Sequence, residues 1–181
     1  MNKKDLEIEL KNNHSVDDIM NLGFETCDGQ ISYQDLLGLC FHKDKQIAFR
    51  AAWVLEYAEG FSPEDFLPYA KDFIRVYPDV NNDSVQRHFT KIIMRLSSNE
   101  YIDFYGLKPD DFENVLAITF EWLLNPKTPV AVQANAMEIL FQLSPNFDWV
   151  KEELVAILEQ KLLSGSAALV SRSKKILKMM K

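Results

Sequence analysis

Glycine and proline are scarce, at 6 and 7 in 181 residues. So few turn formers suit poorly the many short strands of a sandwich or barrel, whereas abundant Leu, Ala, Glu and Lys favour helix. No apolar run approaches the roughly 18–20 residues that a spanning helix needs. The opening stretch Met1-Asn2-Lys3-Lys4-Asp5-Leu6-Glu7 has acids where a secretory leader needs an apolar core, so a cytoplasmic location is expected. Cysteine is limited to Cys27 and Cys40, with no CxxC pair. In a reducing compartment both read as small buried hydrophobes, and the glycosylation-like triplets at Asn13 and Asn82 carry no weight.

The motifs of chemistry are missing too. His14, His42 and His88 stand in neither H-x-x-x-H nor H-E-x-x-H spacing, so no metal site is expected. There is no G-x-x-x-x-G-K-[ST], no G-x-G-x-x-G and no G-x-S-x-G, which leaves a phosphate cradle, a dinucleotide cofactor and a nucleophile elbow without support. Cys40-Phe41-His42 brings a thiol near an imidazole, but nothing supplies an oxyanion site or an orienting group, so a core cysteine and a surface histidine are expected. The acid pairs Asp17-Asp18, Asp110-Asp111 and Glu152-Glu153 fall at helix starts, where the helix dipole accounts for them. The expectation is a protein that is not an enzyme and carries no cofactor.

What the chain has is apolar periodicity. With 47% hydrophobic and 26% charged residues it is long and apolar enough to bury a core as one domain. In Asp44 to Gly60, residues Ile47, Ala51, Val54, Leu55 and Ala58 fall on one helix face, and Gly60 is expected to stop the helix. The same offsets recur from Val85, Val132 and Leu169, and Ser173 is the one polar residue among the copies. These anchors are 38, 47 and 37 residues apart; the long interval holds an aromatic insertion, Ser97 to Lys108, expected to pack back on the array.

Each such helix follows another: Tyr33 to Phe41 capped by Ser32, Pro63 to Tyr77 interrupted by Pro68, Pro109 to Leu124, and Asp148 to Leu163 stopped by Gly165. Helix pairs at periods of this size make an α-solenoid. The fold expected is all-α, with about four pairs over residues 31–60, 61–98, 108–144 and 147–181. Residues 1–30 form an N-terminal helical cap, holding a helix from Lys4 to Lys11 and one announced by Ser15-Val16-Asp17-Asp18. All of it reads as one domain.

Asp44-x-x-Ile47-x-x-x-Ala51-Ala52-x-Val54-Leu55 resembles the second helix of a HEAT repeat, and Phe66-Leu67-Pro68-Tyr69 resembles its proline-kinked first helix. The resemblance covers about Ser32 to Lys181 and implies a right-handed α-α superhelix of the armadillo type. The chain departs from the family at Ala48, where an arginine often stands, and has Arg50 two residues later. The chain, including Arg50 to Glu56 and Gly165-Ser166-Ala167-Ala168, also resembles small bacterial HEAT-like proteins. Some of these are labelled adenylosuccinate lyase, but this chain lacks that enzyme's Ser-Ser-x-Met-Pro-x-Lys loop and is far shorter.

Charge is unevenly spread. The chain carries −7 overall, which argues against a general nucleic-acid or anionic-membrane binder. The four first helices sum to −8 and the four second helices to +5, most of the latter from the last copy. Second helices line the concave side of a solenoid, and the offsets set Arg50, Trp53, Arg87, His88, Lys91, Arg95 and Arg172 away from the buried face. The resulting expectation is a scaffold or adaptor binding a protein or acidic peptide on that side, with Trp53 as an aromatic anchor; Phe49 and Trp53 beside Arg50 need either a neighbouring helix or a partner to cover them. The alternative is a nucleic-acid-binding, glycosylase-like HEAT protein with a basic groove. A terminal helix that is simply solvated also accounts for much of the positive charge.

Overall fold

The first four helices and the last each start at a short polar side chain that satisfies backbone N–H groups the helix leaves open. In the computed structural model, which describes residues 1–12 and 15–180, Asn2 opens α1 (Lys3–Lys11) by accepting from the backbone of Lys4 and Asp5. Asn13, His14 and Lys181, named above, lie outside the described residues. Ser15 and Asp18 form a reciprocal capping box at α2 (Val16–Cys27), and Ser32 Oγ accepts from Asp35 N at 3.3 Å to start α3 (Tyr33–Leu39). Asp44 caps α4 (Lys45–Phe61) through Gln46 N at 2.9 Å. Gly60 does not stop α4. The helix carries it in its last turn and ends at Phe61, because a backbone without Cβ can stay helical when the following residues supply the break, here Ser62-Pro63.

Pro68 breaks the next helix as its missing N–H requires: α5 (Pro63–Phe66) and α6 (Ala70–Val76) are joined by a 3-10 turn over Leu67–Tyr69. Then come α7 (Asp83–Leu96), a 3-10 turn at Pro109–Phe112 leading into α8 (Glu113–Leu124), α9 (Val130–Leu143), α10 (Asp148–Ser164) and α11 (Ala167–Met179). Among the described residues there is no strand.

By its internal contacts the chain divides into two compact units, Met1–Ile92 and Ile93–Lys181. In the first, α4 is the hub, and α1, α2 and α3 pack on it. Phe73 and Phe89, 4.5 Å apart, fill the core between α6 and α7. In the second, α9 packs with α8, α10 and α11. The predicted stripe is the core: Ile47, Ala51, Val54, Leu55 and Ala58 are buried, as are the equivalent residues of α7 and α9. In the last copy Leu169, Ser173 and Ile176 are buried while Leu177 and Met180 stay half-exposed. The insertion after α7 packs back through Tyr105 and Leu107, both buried, and turns at Gly106 with φ of 60°.

Candidate partner-binding surface

Phe49, Trp53, Tyr57 and Phe61 follow one another at four-residue intervals, and a helix sets residues so spaced along one face. In α4 they form a continuous row with ring centroids 5.5, 6.5 and 5.4 Å apart and planes inclined by 27°, 30° and 27°. All four rings are half-buried. Phe24 of α2 extends the row, stacked on Phe61 at 4.2 Å and 3° and itself 50% exposed. Close approach of α2 depends on Gly23, where a Cβ would stand 3.0 Å from Tyr57 Cβ and 3.3 Å from a ring carbon of Phe61.

At the other end His88 of α7 lies 5.4 Å from Phe49 and 6.1 Å from Trp53. Its Nδ1 meets Glu56 Oε2 at 2.5 Å, and Lys91 Nζ donates to Glu56 Oε1 at 2.8 Å. Burial by itself pushes the Glu56 carboxyl up, but hydrogen bonds from His88 and Lys91 and their charges outweigh it and hold the group below the usual carboxylate range. An ionised Glu56 only accepts, so His88 donates through Nδ1. Its Nε2 is buried with no hydrogen-bond partner.

The structure distributes the candidate residues unequally. His88 and Lys91 converge on Glu56, and Trp53 stacks against His88. His88 is buried, against the expectation of an open position, because α7 carries it onto the rings of α4. Arg50 sends Nη1 to the Leu10 carbonyl at 2.8 Å, closing the C-terminal end of α1. Arg87 is exposed. In the second unit Arg95 and Arg172 line one cleft with Tyr101, Glu138 and Lys175, and Arg172 Nη1 donates to Glu138 Oε2 at 2.7 Å.

The cysteines are held as thiols. Cys40 is buried and donates to the Leu36 carbonyl at 3.2 Å, and burial pushes its pKa far up. Cys27 is half-buried rather than buried, because it borders an open hollow beside Tyr33 and Asp65; desolvation still raises its pKa. His42, expected at the surface, is half-buried: its Nδ1 accepts from Asp44 N at 3.0 Å and its Nε2 faces Glu7 at 3.3 Å. Among the described residues no three metal-ligating side chains are gathered.

The HEAT repeat domain profile matches residues 6–180. The chain belongs to the HEAT repeat domain family. No curated protein and no solved structure matches it in the corresponding comparisons. Two ion pairs join helices that carry the recurring apolar stripe: Glu56 of α4 with Lys91 of α7, and Glu138 of α9 with Arg172 of α11. The partners are 35 and 34 residues apart, close to the 38- and 37-residue intervals between stripe anchors. That spacing and the four-residue aromatic interval were the sequence signals for Glu56, Glu138, Tyr57 and Phe61, which motif reading passed over.

Proposed function

We propose that this HEAT repeat chain is a non-catalytic scaffold that binds a protein segment on the second-helix face of its first unit. The observation that carries the reading is the half-buried aromatic row of α4 with cations beside it. Stacked helix pairs present extended side-chain surfaces, and aromatic side chains next to arginine are the groups that dominate binding energy at protein interfaces. The charge ladder suits such a surface, since its ion pairs occupy Lys91 and Arg172 and leave the exposed Arg87 available.

The test is capture of partners from a native lysate by immobilised protein, comparing wild type with Trp53→Ala and Arg87→Ala and identifying what each retains. Loss of the same partner from both variants, with melting unchanged for Arg87→Ala, supports the reading. Retention by both removes this face from the assignment. Duplex DNA titrated at two salt concentrations separates the nucleic-acid alternative: binding that weakens steeply with salt favours it, and no binding at low salt discards it.

A further inference from the structure

The geometry points to an acidic amphipathic helix as the segment that occupies the α4 row, an inference that rests on the scaffold reading above. Three features of the row select the occupant. The first is that its walls are side chains only. The backbone of α4 is bonded within its own helix, so an ordinary extended segment laid along it finds no partners for its N–H and C=O groups. A helix brings its backbone already satisfied, and a proline-rich segment lacks most of its N–H groups.

The second feature decides between those two. Proline-rich segments dock on aromatic-lined grooves, packing against the rings. Here the rings are stacked on one another along the helix, at 27° to 30° with centroids 5.4 to 6.5 Å apart, which leaves less free ring face for a proline to pack against than separate rings would. Ring edges carry the positive part of the aromatic quadrupole and suit carboxylates. The ring spacing also matches the roughly 6 Å rise between side chains four apart on a second helix, so such a helix seats its own ridge between the rings. From Phe49 to Phe61 the row is about 18 Å long by the same rise, which calls for a helix of roughly three to four turns.

The third feature is charge. Arg50 spends its hydrogen bond on a neutral carbonyl, Arg87 is exposed beside His88, and Lys91 faces the single carboxylate of Glu56, so these residues bring three cations and one carboxylate to α4 and α7 in a chain of −7. Glu59, the other acid of α4 in this stretch, is fully buried. The Phe61 end closes on apolar Phe24. A partner helix with an apolar stripe and carboxylates gathered toward one end matches both halves.

The experiment is selection of random 18-residue peptides displayed on phage against the intact chain, followed by fluorescence anisotropy and circular dichroism of the enriched sequences as free peptides. Enrichment of peptides with apolar residues at i, i+3 or i+4 and i+7 and acidic flanks, which gain helix on binding, is the expected result. Their affinity should fall at least tenfold with Trp53→Ala and several-fold with Arg87→Glu, an exposed substitution that leaves folding intact. Enriched peptides that are proline-rich or extended, yet sensitive to Arg87→Glu, overturn the helical occupant and leave the scaffold reading standing. Helical peptides indifferent to both substitutions overturn the placement on α4, and no enrichment at all overturns both.

Discussion

Glu56 shows how one side chain ties two helices together. It receives His88 and Lys91 from α7 while standing on α4, and its folded pKa lies below the ordinary value. A depressed carboxylate contributes stability that is fully present above the unfolded pKa, about 4.3, and is lost as pH falls through the folded pKa. Thermal melts between pH 7 and pH 3 should therefore show a shallower acid decline for Glu56→Gln than for the parent; parallel declines would assign the acid limb to other carboxylates. The cysteines give a second expectation. Raised thiol pKa values and burial leave little thiolate at pH 7, so a disulfide reagent should label Cys27 slowly and Cys40 only when the chain is unfolded by guanidinium. Rapid labelling of Cys40 in native protein would contradict its packing. Trp53 and Lys91 were legible as off-stripe residues, whereas the buried place of His88 was not, because periodicity names a face and says nothing of which neighbour covers it.

Two glycines separate pattern from packing among the helices. Gly165 ends α10, where an added Cβ would lie 2.5 Å from the Lys161 carbonyl oxygen. Gly165→Ala should cost about 1–3 kcal/mol, seen as a lowered Tm. Gly60 sits exposed inside α4, so Gly60→Ala should gain about 0.5–1 kcal/mol by restricting the unfolded chain. The two glycines look alike in sequence, each at the end of an apolar-periodic run, and each reads as a helix stop. They differ because Phe61 continues the turn at one while Ser166 opens the next helix at the other. Proline was easier to read: Pro68 cannot donate its backbone hydrogen bond in any environment, and the 3-10 turn falls where that predicts.

Across the chain, stability in a repeat array is a sum of local terms and nearest-neighbour contacts. Leu140 is fully buried in the second unit. Leu140→Ala should cost about 2–5 kcal/mol. Hydrogen exchange should rise mainly over Ile93–Lys181, and an equal rise over Met1–Ile92 would show that the two units unfold as one.

By itself the sequence determined the helix pairs, the stripe each buries and the family to which they belong, because 3.6-residue periodicity, end caps and proline are local and act wherever the helix is placed. Tertiary structure alone decided the use of the other helix faces. Arg50 closes α1, Glu56 joins α4 to α7 and Gly23 lets α2 reach the aromatic row. Each depends on how far one helix is shifted along its neighbour, which is set by the summed packing of many side chains.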